Sequence, residues 1–260
     1  MASVSAKVTP HLVHRKTQTT SCSPSLQLQS SRSRFPRQSL TPSNPSLFFN
    51  SVRSSRCSVI SRAATFETGD IADSFDQVSI FTASGESVML KDLLGQNEEI
   101  AVVSLLRHFG CPCCWELASA LKEAKARFDS ANVKLIAIGV GGPDKARILA
   151  ERLPFPMDCL YADPERKAYD VLGLYHGFGR TFFNPASAKV LSRFESLKEA
   201  VKNYSIEATP DDRSGVLQQG GMFVFKGKKL MYSHKDEGTG DHAPLDDIFD
   251  VCGCRIPVTY

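Results

Sequence analysis

Three cysteines sit where a strand pattern ends and a helix pattern begins, at Cys111-Pro112-Cys113-Cys114, and that junction limits the folds open to the chain. The run Ile100-Ala101-Val102-Val103-Ser104-Leu105-Leu106 is apolar, rich in β-formers and the right length for a buried strand of a parallel or mixed sheet. Beyond the cysteines, Leu117, Leu121, Ala124 and Phe128 recur at helical spacing, as one buried helix face does. The spacing therefore predicts Cys111 at or just before a helix N-terminus. There, unpaired backbone N–H groups and the positive end of the helix dipole favour a thiolate. A strand feeding a helix through C-x-x-C reads as a thioredoxin-like redox site.

Within the motif, Cys111 is the expected nucleophile because it comes first, at the exposed helix end. Cys114, one turn on, can reach it to close a small disulfide and is the expected resolving thiol. Cys113 points about 100° away from Cys114 on a regular helix and is the weaker partner. The bland alternative is three buried cysteines packed as small hydrophobes.

Residues 1–63 carry nine Lys or Arg, many Ser and Thr, and no acid before Glu67. This composition predicts a chloroplast transit peptide, cleaved near Cys57 to Ala64, with a basic arm for nucleic acid or membranes as the alternative. Its removal leaves 22 Lys plus Arg against 28 Asp plus Glu, a net charge near −6 that disfavours a nucleic-acid partner. No stretch approaches the roughly 20 apolar residues of a membrane helix, so a stromal product with no membrane span is expected. Six cysteines stay, at Cys111, Cys113, Cys114, Cys159, Cys252 and Cys254, clustered in a way that suggests thiol chemistry.

Along residues 64–260 the pattern predicts one α/β domain. Two short strands occupy Gln77–Phe81 and Ser87–Leu90, followed by a helical turn near Leu93. The strand 100–106, the cysteine helix to about Ser130 and a second buried strand over Val133–Val140 make a right-handed βαβ unit. Helices over Asp144–Leu153 and Glu165–Leu172 flank a short strand at Asp158–Tyr161 that carries Cys159, expected buried and inert. Residues 175–219 read as an insertion with an amphipathic helix over Leu191–Tyr204. A hairpin through Lys226-Gly227-Lys228 and a helix ending at Cys252 close the domain.

Leu105-Leu106-Arg107-His108-Phe109-Gly110-Cys111-x-x-Cys114-Trp115 and Gln219-Gly220-Gly221-Met222-Phe223-Val224 resemble the peroxiredoxin-like 2 family, AhpC/TSA-type proteins of the thioredoxin superfamily. The resemblance spans Phe66 to Cys252. It implies a thioredoxin-like α/β/α sandwich with a mixed central sheet, and reduction of peroxides or disulfides with electrons from a thioredoxin-type or NADPH-linked donor. Some relatives reduce prostaglandin-type endoperoxides. Where typical peroxiredoxins place Pro and Thr ahead of the reactive cysteine, this chain has Ser104 and His108. Where most thioredoxin folds place a cis-proline, it has Gly220 or Gly221.

Supporting roles fall to the neighbours. Arg107 and His108 alternate faces at the strand end, so one of them approaches Cys111, where a cation would stabilise a thiolate; pairing of Arg107 with a surface acid is the equal alternative. Trp115 is expected to shield the disulfide, partly exposed, or to pack in the core, and Glu116 to cap the helix. Cys252-Gly253-Cys254 can resolve a disulfide with Cys111, form a secondary redox couple, or join Cys111 and Cys114 as four thiolates around zinc or an iron–sulfur cluster; two ordinary thiols near the end of a C-terminal helix are the equal alternative. His234, Asp241 and His242 are expected in a solvated loop. The dithiol chemistry itself calls for no cofactor and no metal. The rivals are the metal or iron–sulfur protein and a non-catalytic interaction module of the same fold.

Overall fold

The two apolar runs lie side by side at the middle of a sheet. Strand β3 (Ile100–Leu106) pairs in parallel with β4 (Val133–Gly139), register Ile100 to Val133 through Leu106 to Gly139. The crossover between them is helix α2 (Pro112–Ser130). Nearly every residue of both strands is buried, which is why the sequence shows continuous apolar runs rather than alternation.

The structure, a computed structural model, describes residues 74–95 and 98–254. The expected transit peptide over 1–63 lies outside the described residues, as does the start of the following domain at residue 64.

Among the described residues the sheet has seven strands in the order β2-β1-β5-β4-β3-β6-β7. Besides β3 and β4 these are β1 (Ser79–Thr82), β2 (Ser87–Met89), β5 (Leu160–Ala162), β6 (Gly221–Lys226) and β7 (Lys229–Lys235). β4 and β5 run parallel, while the β1–β2, β1–β5, β3–β6 and β6–β7 pairs are antiparallel. The sheet is therefore mixed. The remaining helices are α1 (Leu90–Leu93), α3 (Pro143–Arg152), α4 (Lys167–Val171), α5 (Phe178–Phe183), α6 (Lys189–Ser192), α7 (Phe194–Ala200) and α8 (Leu245–Cys252).

Strand alternation divides the core in two. Val102, Leu106, Leu135, Ala137, Met222 and Val224 face one side, against Leu121 and Phe128 of α2, Leu149 of α3 and Ile248 and Phe249 of α8. Ala101, Val103, Leu105, Ile136, Ile138, Phe223 and Phe225 face the other, against Phe75, Leu90, Tyr169 and Leu172. This is the thioredoxin-like α/β/α sandwich. Tyr169 ties the second layer to the strand ends, its hydroxyl donating to the carbonyls of Leu106 and Ile138.

Two local expectations change. Cys159 lies in a 3-10 turn, Met157–Cys159, just ahead of β5; it is buried, and burial pushes its thiol up to about 12. The helix expected over Leu191–Tyr204 is broken into α6, α7 and a 3-10 turn at Val201–Asn203. The break falls at Arg193, whose backbone leaves the helical region while its guanidinium donates to the Gly240 carbonyl.

Phe128 is fully buried on α2 with its ring 5.2 Å from that of Phe249. Phe128→Ala is expected to lower the unfolding free energy by about 3–5 kcal/mol, read from urea denaturation, because the layer cannot collapse into the space left.

Candidate active site

The cysteine motif turns the chain from β3 into α2. Cys111 is the N-cap residue, with extended backbone angles of φ −92° and ψ 119°, and Pro112 occupies the first helical position, where its missing N–H is no loss. The N–H groups of Cys114 and Trp115 donate to the Cys111 carbonyl at 2.9 and 3.2 Å. The Cys111 sulfur accepts no capping hydrogen bond from the helix.

Side chains supply what the backbone does not. Arg107 donates from its guanidinium to Cys111 Sγ at 3.3 Å, and the thiols of Cys113 and Cys114 both hydrogen-bond to the same sulfur. These two thiol hydrogen bonds hold Cys111 well below the ordinary thiol range; burial opposes them, and the Arg107 charge adds to them. Burial and the hydrogen bond to Cys111 push Cys114 up, and Cys113 rises for the same two reasons. One thiolate and two protonated thiols thus share a single helix turn.

Arg107 is itself buried, 4% exposed. Its other donors reach the carbonyls of Gln218 at 3.0 Å and Val216 at 2.8 Å. Carbonyls satisfy hydrogen bonds but do not neutralise a cation, and a buried charge needs a counter-charge. Among its hydrogen-bond partners only Cys111 can carry one.

His108 is buried beside the motif without a hydrogen bond to Cys111, and its Nδ1 has no partner. Burial lowers its pKa to about 4, with the Arg107 charge adding and Cys111 opposing. It is a neutral neighbour at physiological pH. Ser104, on β3, is fully buried with an unpartnered hydroxyl.

Several expectations are corrected. Cys111 is not at an exposed helix end: it is 2% exposed. The inserted segment covers the motif, with Tyr204 Oη donating to the Gly110 carbonyl at 2.8 Å and Thr209 pressed so tightly on Gly110 that any Cβ there would collide with it. Cys113 and Cys114 both lie within the first turn of α2, after the extended N-cap residue Cys111. Trp115 is not partly exposed; it is fully buried, donating from Nε1 to the Phe109 carbonyl at 2.6 Å, with the Tyr204 ring edge-on at 5.4 Å. Glu116 does not cap; it sits in the second turn, 3.5 Å from Arg193 Nε.

Cys252 and Cys254 lie at the opposite end of α2, where Arg127 Nε donates to the Cys254 carbonyl at 2.7 Å. From Cys111 to Arg127 the helix rises by about 24 Å. No disulfide spans that gap and no metal could bind both clusters, so resolution of Cys111 by this pair and the four-thiolate site are overturned. The pair's own thiols hydrogen-bond to each other, and burial pushes Cys252 up to about 12.

The loop after β7 is buried rather than solvated. His242 donates from Nδ1 to Asp236 at 3.0 Å, and its Nε2 meets the Cys113 carbonyl at 3.1 Å. Both ring nitrogens thus face acceptors. Burial alone would lower its pKa, but the Asp236 carboxylate outweighs that and raises it. His234 Nε2 meets the Asp241 carbonyl at 2.7 Å. Tyr204, Thr209, Val216, Gln218 and Asp236 therefore also belong to the site's frame. A cavity of about 700 Å³ opens nearby, between Glu116 and Ala120 of α2, Arg193, Gly240, His242 and Leu245. It lies beside the motif, and none of Cys111, Cys113 and Cys114 forms its wall.

Arg107→Met keeps a similar length and removes the charge. The Cys111 pKa is expected to rise, so reactivity with peroxide, flat into the acid range in the wild type, begins to fall at higher pH. At pH 6 the rate should drop roughly tenfold to a hundredfold while recovering at pH 9, as read from stopped-flow pH profiles.

The family model described as AhpC/TSA antioxidant enzyme matches residues 120–238, starting just after the cysteine motif. The chloroplastic thioredoxin-like protein AAED1 of Arabidopsis thaliana is 32% identical over 213 residues, covering 78% of this chain and 84% of the relative. Peroxiredoxin-like 2C of Bos taurus is 28% identical over 191 residues, covering 71% and 81%. Among solved structures, the peroxidoxin BcpB of Mycobacterium tuberculosis aligns with a TM-score of 0.47 at 14% identity, over 69% of this chain and 93% of that one. Among the described residues no helix is long and apolar enough to cross a membrane. The chain belongs to the AhpC/TSA family of thioredoxin-like, thiol-dependent oxidoreductases, in its peroxiredoxin-like 2 branch and with a chloroplast protein among its relatives.

Proposed function

We propose that this protein is a stromal thiol peroxidase in which Cys111 attacks the substrate and Cys114 resolves the product. The observation that carries the reading is the buried Arg107 guanidinium on Cys111 Sγ, because it gives the thiolate a counter-charge inside the fold. The thiolate attacks the distal oxygen of a peroxide, the O–O bond breaks, and the alkoxide leaves with a proton. Cys111 becomes a sulfenic acid. The Cys114 thiol then displaces water from it to form the Cys111–Cys114 disulfide, and two electrons from a dithiol donor restore both thiols. A disulfide substrate would follow the same path through a mixed disulfide.

The donor fits the thioredoxin type, or an NADPH-linked system that feeds one. Lipid endoperoxides are the substrate class suggested by the family resemblance, alongside simple peroxides. Entry to Cys111 requires the segment 204–218 to move, since the residue is 2% exposed and that segment closes on its neighbours Gly110 and Arg107.

After brief exposure to one equivalent of H₂O₂, peptide mapping is expected to find Cys111 linked to Cys114. Cys111→Ser should lower thioredoxin-coupled turnover by roughly a thousandfold or more, as loss of a nucleophile does. Undiminished turnover in that variant would place the nucleophile elsewhere.

A further inference from the structure

We propose that Cys113 is a relay thiol, which takes over the disulfide made by Cys111 and Cys114 and presents it to a dithiol reductant arriving on the cavity side of α2. This rests on the roles proposed above for Cys111 and Cys114 and adds the route by which electrons enter.

The difficulty it answers is access. A disulfide between Cys111 and Cys114 joins sulfurs of residues that are 2% and 0% exposed, beneath the inserted segment and against the sheet. A protein dithiol must bring its sulfur into line with the bond it attacks, and neither atom offers that line. Cys113 is buried too, at 6%, but it lies nearest the surface of the three, and its sulfur lies against Gly240, where the position of a Cβ would be 3.4 Å from it. Gly240 is also wall of the 700 Å³ cavity, together with Glu116, Arg193 and His242. Gly240 thus lies between the third thiol and that open space, with Val190 and Arg193 beside it. Glu116 Oε2 is buried there without a hydrogen-bond partner, leaving an acceptor for an incoming donor group.

Proximity and anchoring complete the arrangement. Cys113 stands two residues after Cys111, in the same first turn of α2. Its carbonyl is held by His242, which is held in turn by Asp236. The reduced state keeps Cys113 protonated through its hydrogen bond to the Cys111 thiolate. Oxidation of Cys111 removes that negative charge and leaves the Arg107 cation without its counter-ion, so Cys113 ionises more readily once the disulfide exists.

The steps balance. The Cys113 thiol loses its proton and attacks Cys111 Sγ; the Cys111–Cys114 bond breaks, and Cys114 leaves as a thiolate onto the Arg107 backbone N–H, which already donates to its sulfur at 3.2 Å. Cys114 then takes up a proton. A dithiol reductant attacks Cys113 Sγ, and Cys111 leaves as the thiolate facing Arg107. The second thiol of the reductant attacks the mixed disulfide at the reductant's own sulfur. Cys113 is released as a thiol and the reductant departs oxidised, carrying away the two electrons' worth of oxidation.

The test uses the full chain and a thioredoxin-type dithiol as the reductant. Cys113→Ser, oxidised with one equivalent of H₂O₂, should still yield the Cys111–Cys114 linkage. That linkage should be reduced by a small phosphine within about twofold of the wild-type rate, but by the dithiol protein at least about tenfold more slowly. Cys114→Ser should form a Cys111–Cys113 linkage, and a reductant with only its attacking cysteine should be trapped on Cys113. Dithiol reduction of Cys113→Ser at the wild-type rate, or trapping on Cys111, overturns the relay. A wild-type protein in which peroxide forms no disulfide at Cys111 overturns the nucleophile assignment itself, and the relay with it.

Discussion

A guanidinium buried with one anionic partner is the constraint around which this protein is arranged. Arg107 is 4% exposed, and its two carbonyl partners leave its charge uncompensated. Ionisation of Cys111 supplies the missing charge, and a protonated Cys111 would leave a bare cation in the core. Fold and chemistry are thus coupled through one contact: the same interaction that makes the arginine tolerable makes the sulfur a nucleophile.

Three parts of the chain must meet for that contact to form. The end of β3 delivers Arg107, the N-cap of α2 delivers Cys111, and residues 216–218 of the insertion supply the carbonyls that aim the guanidinium. That last segment is itself held, by Gln218 Nε2 on the Tyr175 carbonyl, the Gln219 N–H on the same carbonyl, and Gly177 N–H on Leu217. A side chain fixed by two carbonyls in this way loses little entropy on binding its anion. The cover that positions Arg107 also seals Cys111, so movement of that cover would expose the sulfur and loosen its counter-ion together.

The central architecture was legible because it rests on periodicity and order. Two apolar runs around an i, i+4, i+7, i+11 helix face from Leu117 to Phe128 specify a βαβ unit, and C-x-x-C at its turn specifies where chemistry sits. The rest depends on contacts that leave no trace in residue type. The clamp on Arg107 uses backbone carbonyls, which every residue has, and so Val216 carries no signal of its role. The N-cap angles of Cys111 are extended rather than helical, which residue type alone does not reveal. His242 reads as a loop residue because its partners, Asp236 and the Cys113 carbonyl, are brought to it only by the return of β7 along the sheet. The separation of Cys252 and Cys254 from Cys111 follows from the length of α2 and their docking against Arg127, which residue spacing alone does not reveal.

The central claim is that folding alone ionises Cys111, and the thiolate absorbance near 240 nm reports it without any substrate. The difference between wild type and Cys111→Ser, followed against pH, should show one thiolate persisting well below the free-thiol range of about 8.5 and reverting to that range when the protein is unfolded in urea. A difference signal that grows in only near 8.5 in the folded protein would show Cys111 protonated beside Arg107, and would contradict ionisation by the fold.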